Sequence, residues 1–230
     1  MITPIPLDIA SLSNSIVDTL KESVEINGKA SLAIPGGRSP GPILANLAKV
    51  CEAKVSDSLY LYWVDERCVA REHADRNDHA TLGFWKDGGK EPAFVRSMPA
   101  ENDDLTQAAT QYTKTLTEDG FELGMDVALL GIGEDGHFAS LFPNHPALKE
   151  TAITFSLSDS PKSPPKRLSL SLPYILSSKK VIVLVTGAGK GEVLKKAVSD
   201  PSEKYPVSLL FDNDRVSYYL DPQALEAFQA

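Results

Sequence analysis

Short aliphatic runs recur along this chain, and most of the stretches between them carry apolar residues at helical spacing. ASLAIP (30–35), LYLYWV (59–64), DVALLG (126–131), TAITFSL (151–157), RLSLSL (167–172), VIVLVT (181–186), VSLLF (207–211) and VSYYL (216–220) read as strands, being short and rich in aliphatic or β-branched residues. Helices are expected over 7–26, 40–50, 103–118, 189–198 and 222–229. The third opens on Asn102, Asp103 and Asp104, which suit an N-cap and first turn. Strand alternating with helix specifies an α/β fold of three layers: a mostly parallel, Rossmann-like sheet with helices on both faces. VIVLVT and DVALL are apolar on both faces, as a sheet covered from both sides requires. RLSLSL alternates instead, which points to an edge or antiparallel position. A length of 230 residues suits one domain spanning 1–230.

Charge narrows the partners. The formal net charge is −8 with no basic block to offset it, which argues against nucleic acid or an anionic membrane. No apolar run approaches the length of a membrane span. The opening MITPIPLDIASLSNS lacks the basic region and apolar core of a signal peptide. Cys51 and Cys68 have no metal-like spacing; they allow one disulfide, but thiols in a reducing cytosol are the better reading, so the expected location is cytoplasmic. The proline-rich SDSPKSPPK (158–166) reads as a loop.

In open α/β sheets, ligands bind beyond the carboxyl ends of the strands. The unusual residues of this chain gather there. GGRSPG follows ASLAIP, DER ends LYLYWV, GIGEDGH follows DVALL, and GAGK follows VIVLVT. GIGEDG matches the dinucleotide fingerprint G-x-G-x-x-G, but Glu134 and Asp135 stand where pyrophosphate would need a helix N-terminus free of negative charge. Pro143 also cuts short any helix that follows. The better reading is that the glycines turn the backbone sharply and present His137 to the cleft, with Asp135 close enough to fix its tautomer and raise its basicity.

GGRSPG resembles a phosphate cradle in which Gly36 and Gly37 allow close backbone approach, Arg38 adds charge and Ser39 donates a hydroxyl. The blander reading is a strand-to-helix turn with Ser39 as N-cap. GAGK is not a P-loop, because Gly191 follows Lys190 where Ser or Thr should bind magnesium. Lys190 at a helix N-terminus opposes the helix dipole, a conflict that a bound anion resolves. Asp65, Glu66 and Arg67 serve either the site or merely the solvated start of a loop. His73, His79 and His145 read as structural or exposed. There is no zinc-like ligand spacing and no G-x-S-x-G elbow, so neither a metal nor a serine nucleophile is expected.

Taken together, GGRSP, WVDER with HADRN, GIGEDGHFASLFP with HPAL, PKRLSLSL and GAGK resemble the 6-phosphogluconolactonases in kind and order, from about residue 30 to residue 215. The resemblance implies hydrolysis of 6-phospho-D-glucono-1,5-lactone to 6-phosphogluconate in the oxidative pentose phosphate pathway, with no metal and no organic cofactor. It implies a catalytic set of His137, Asp135, Arg67 and Asp65. A phosphate site of Gly36, Gly37, Arg38, Ser39, Arg167 and Lys190 follows, the last two resting mostly on the resemblance. The related glucosamine-6-phosphate deaminases read DEY and DGHIAFNEP where this chain reads Asp65-Glu66-Arg67 and DGHFASLFP. Their supporting Glu is replaced here by Phe142, which cannot do that work. Arg76 departs from the usual Ser before Asn77.

Overall fold

The computed structural model describes residues 2–89 and 91–230. In chain order the elements are β1 (Pro4–Pro6), α1 (Ile9–Asn27), β2 (Ala30–Ile34), α2 (Gly41–Val50), α3 (Ala53–Ser56), β3 (Leu59–Trp63) and β4 (Asp65–Arg67). They continue with α4 (Asn77–Asp87), β5 (Phe94–Arg96), α5 (Leu105–Glu118), β6 (Val127–Gly131), β7 (Thr154–Leu157) and β8 (Arg167–Leu170). The chain closes with α6 (Leu172–Leu176), β9 (Lys180–Val185), α7 (Ala188–Ser199), β10 (Val216–Leu220) and α8 (Pro222–Gln229).

Seven strands form one sheet in the order β1-β10-β9-β6-β2-β3-β5, parallel throughout. Its two faces are written into the strands. Along β9, Val181, Val183 and Val185 pack with Tyr112 and Leu116 of α5 and Val193 and Leu194 of α7. The intervening Ile182 and Leu184 pack with Leu12 and Ile16 of α1 and Leu44 of α2. Period-two alternation thus feeds two apolar cores, and the expected three-layer α/β architecture follows. RLSLSL is antiparallel as its alternation indicated: β8 lies between β4 and β7 in a separate three-stranded sheet.

Helix ends obey local chemistry. Asp8 caps α1 by accepting from the Ser11 N–H at 2.7 Å, and Gly28 ends that helix at φ 72°. Asp104 caps α5 through the Gln107 N–H. Two expectations are corrected. VSLLF is not a strand, because Pro206–Leu210 forms a 3₁₀ turn. Pro206 has no N–H to give a ladder, and Val207 and Leu210, three apart, both enter the core. Ser39 is not the N-cap of α2. That place belongs to Pro40, and the Ser39 hydroxyl instead lies 2.8 Å from Thr186 Oγ1. No helix among the described residues is long and apolar enough to cross a membrane.

The strand order carries the functional consequence. After β2 the chain moves outward to β3 and β5, whereas after β6 it moves the other way, to β9 and β10. Adjacent β2 and β6 therefore flank the topological switch point, where the loops beyond their carboxyl ends diverge and open a crevice.

Candidate active site

The crevice is a cleft of about 350 Å³ lined by Gly36, Gly37, Arg38, Ser39, Asp65, Arg67, His137, Arg167 and Lys190, among others. Every residue assigned to the site from sequence lies on its wall except Asp135, which stands behind His137. Arg38, Arg67, Lys162, Arg167 and Lys190 line the cleft, against one carboxylate, Asp65, among the described residues. An acidic chain thus concentrates positive charge at one place, as an anionic ligand requires.

The histidine is presented by a tight turn after β6. The Gly133 N–H donates to the His137 carbonyl at 2.8 Å, the Gly136 N–H donates to the Gly133 carbonyl at 3.0 Å, and Gly136 takes φ 82°. A side chain at position 133 would put its Cβ 2.1 Å from His137 Nδ1, so only glycine lets the ring fold back over the turn. His137 Nδ1 then lies 2.5 Å from Asp135 Oδ1. Burial alone would raise the Asp135 pKa, but the His137 hydrogen bond and the Lys162 ammonium hold it well below the usual carboxylate range. The imidazole also rests against Phe142, tilted by 31°, with ring centroids 4.9 Å apart. No helix follows the turn; Phe138 pairs instead with Ile132 and Leu141, so the helix a dinucleotide fingerprint would need is missing.

Asp65 and Glu66 are not the solvated start of a loop, being 7% and 0% exposed. Asp65 Oδ2 accepts from the Ser140 hydroxyl at 2.8 Å, and the Asn77 amide donates to the Asp65 carbonyl at 2.9 Å. Glu66 is structural. Its carboxylate accepts from the backbone N–H groups of Arg67, Asn77 and Asp78, the last two opening α4. Burial pushes its pKa up to about 7, against those donors and the Arg76 charge. Arg76, fully buried, bridges Asp78 at 2.7 Å and Glu101 at 3.2 Å. The departure from Ser is therefore an anchor for α4 rather than a substrate contact. Arg67 spends one N–H on the Asp75 carbonyl, and its Nε finds no hydrogen-bond partner among the described residues.

Across the cleft, the Gly187 N–H is held by both carboxylate oxygens of Asp221 at 3.0 and 2.9 Å, which sets the entry of α7 and with it Lys190. Burial pulls the Lys190 pKa down, opposed by Glu134 and Asp221. Arg167, 4% exposed, gives its Nε to the Pro164 carbonyl at 2.8 Å and Nη2 to the carbonyls of Ser163 and Lys162 at 3.2 and 3.3 Å. Most of its guanidinium thus shapes the loop 162–164, leaving Nη1 toward Asp65 at 3.9 Å.

Two wall residues escaped the sequence reading. Asn77 packs against Gly36 and leaves Oδ1 without a hydrogen-bond partner among the described residues. Lys162 reaches from the proline-rich loop to Asp135 Oδ2 at 3.0 Å. The only signal for it was a lysine held among prolines, which taken alone says loop. Among the described residues, no group of three or more His, Cys, Asp or Glu is placed to hold a metal ion.

Residues 8–218 match the family of glucosamine-6-phosphate isomerases/6-phosphogluconolactonase. A rice protein, "Probable 6-phosphogluconolactonase 2" (Oryza sativa subsp. indica), is 33% identical over 247 residues, covering 95% of this chain and 85% of its own. "Probable 6-phosphogluconolactonase 1" of Arabidopsis thaliana is 34% identical, covering 94% and 90%. The crystal structure of a 6-phosphogluconolactonase from Shewanella baltica superposes with a TM-score of 0.84 over 96% of this chain and 98% of that one, at 23% identity, and so shares the fold. A parallel sheet with its cleft at the β2/β6 switch point, and a sequence match running nearly end to end, have one explanation: the chain belongs to the glucosamine-6-phosphate isomerase/6-phosphogluconolactonase family.

Proposed function

We propose that the chain hydrolyses 6-phospho-D-glucono-1,5-lactone to 6-phosphogluconate, with His137 as general base. The observation that carries this reading is the Asp135-oriented imidazole on the wall of a cleft lined by Arg38, Arg67, Lys162, Arg167 and Lys190. With the Nδ1 proton donated to Asp135, the lone pair sits on Nε2. It takes a proton from water as that water attacks C1 of the lactone. Charge that builds on the carbonyl oxygen is met by Arg67. The tetrahedral intermediate collapses, the C1–ring oxygen bond breaks, and the imidazolium returns the proton to the leaving oxygen. Asp65, held by Ser140, orients sugar hydroxyls.

The phosphate lies remote from the bond that breaks, in the cradle of Gly36, Gly37, Arg38 and Ser39, faced by Lys190 and by what Arg167 has to spare. Binding energy gathered there orients the reacting carbon. The related deaminase chemistry is disfavoured, because Phe142, stacked near the histidine, stands where the deaminases have their supporting Glu.

One assay tests the reading. The protein should consume the phosphorylated lactone and release acid at an undiminished rate in the presence of a chelator, and release no ammonia from glucosamine 6-phosphate. Ammonia release, or binding of 6-phosphogluconate with no turnover of the lactone, would replace it with a deaminase or a sugar-phosphate sensor.

A further inference from the structure

We infer that Lys162 is a positioning residue for the reaction: its ammonium holds Asp135 in place and offsets that carboxylate's charge, so that His137 is oriented by an acid without being driven into its protonated form. The inference rests on the lactonase reading of the site for its meaning in catalysis, but its geometry stands independently.

Lys162 Nζ lies 3.0 Å from Asp135 Oδ2 and 3.3 Å from His137 Nδ1. The second contact is not a hydrogen bond in the working tautomer. Nδ1 already carries the proton it gives to Asp135, so two donors face each other there. What remains is a cation beside the ring. Asp135 is divided between them, Oδ1 serving His137 and Oδ2 serving Lys162.

A carboxylate alone at 2.5 Å would favour the imidazolium, which has no lone pair left to accept a proton from water. The ammonium neutralises that pull and repels a second positive charge. The groups facing the ring directly are Asp135, Lys162 and the uncharged Phe142, while Arg38, Arg67, Asp65, Arg167 and Lys190 share the cleft.

The lysine is not a stray surface chain. The Lys162 N–H donates to the Ser160 hydroxyl at 3.2 Å, that hydroxyl donates to the Lys162 carbonyl at 2.9 Å, and Arg167 donates to the same carbonyl at 3.3 Å. The Ser160 N–H closes the loop onto the Pro165 carbonyl at 3.1 Å. Buried Arg167 therefore helps hold the loop that carries Lys162.

The test is a pH profile of kcat/KM for wild type, Lys162→Met and Lys162→Arg. Lys162→Met should move the acid limb to higher pH by about one unit, the lower end of the effect of a neighbouring charge because the lysine is partly exposed. Its loss of rate should be concentrated at acid pH and shrink as pH rises, and Lys162→Arg should return the limb toward wild type. Nitrogen NMR of the His137 ring, recorded without substrate, should show the same displacement of its titration in Lys162→Met. An unmoved ring titration, or a loss equal at every pH, overturns the inference. Absence of lactone turnover by the wild type would instead overturn the lactonase reading and leave the NMR result to judge Lys162 alone.

Discussion

His137 Nδ1 lies 2.5 Å from Asp135 Oδ1, two residues earlier in the chain, across a turn that Gly133 and Gly136 permit. The pair is prepared before any ligand arrives, since ring, carboxylate and turn come from one segment. Replacing His137 with Ala should therefore leave the fold intact and lower kcat by roughly 10²–10⁴-fold, the usual worth of a general base. The lactone also hydrolyses spontaneously, so initial rates are corrected for that background. A folded variant with near wild-type kcat removes His137 from the chemistry.

Lys190 and Arg167 should separate in a substrate comparison. Lys190 faces the cleft from α7, so Lys190→Ala should cost on the order of 1.5–3 kcal/mol toward the phosphorylated lactone, the worth of a charge-assisted hydrogen bond. It should cost much less toward unphosphorylated gluconolactone. Arg167 also holds the loop carbonyls of 162–164, so Arg167→Ala should harm both substrates. Measuring kcat/KM for both lactones decides the matter; equal losses for Lys190→Ala place the phosphate elsewhere.

Gly36→Ala tests the fit between the cradle and α4. The new Cβ would stand 1.8 Å from Asn77 Oδ1, and Asn77 is tied to the Asp65 carbonyl and 2% exposed. One of the two must move. Stability should fall by about 1–3 kcal/mol, as overpacking costs. A displacement near 1 Å at the site should lower kcat/KM by about 10²-fold. Thermal melts and kinetics on the same preparation read both, and an unaffected variant would show that the contact yields freely.

Glu66 predicts a pH dependence of stability. Its pKa is raised by burial from 4.5 to about 7 in the folded chain. Between those values the folded chain holds a proton that the unfolded chain has lost. The contribution is thus fully present below about 4.5 and declines as pH rises to about 7. Glu66→Gln should abolish this slope. It also turns an amide donor toward a backbone N–H of α4, at a cost of about 1–3 kcal/mol. Urea unfolding of both proteins at several pH values gives the comparison; parallel curves would mean Glu66 does not titrate in this range.

What the amino-acid order determined by itself is what depends on near neighbours. Period-two runs such as Val181–Val185 specified strands apolar on both faces, Asp104 marked a helix start, and glycines at 36, 37, 133 and 136 marked turns where backbone geometry is unusual. The placement of chemistry at strand ends followed from these alone. Tertiary structure decided what depends on distant partners. The order that sets β2 beside β6 creates the cleft, and no local pattern encodes it. Val207 and Leu210 could have served a strand or a turn, and the turn is the conformation in which both enter the core beside a proline that has no N–H to give a ladder. Glu66 and Arg76 look like surface charges in sequence, yet both are buried, because each finds its partners across the fold. Lys162 meets Asp135 only because Arg167 and Ser160 hold its loop over the turn. Hydrophobic period and backbone dihedrals act within a few residues, whereas burial of a charge and the meeting of two loops are settled only when the whole chain has packed.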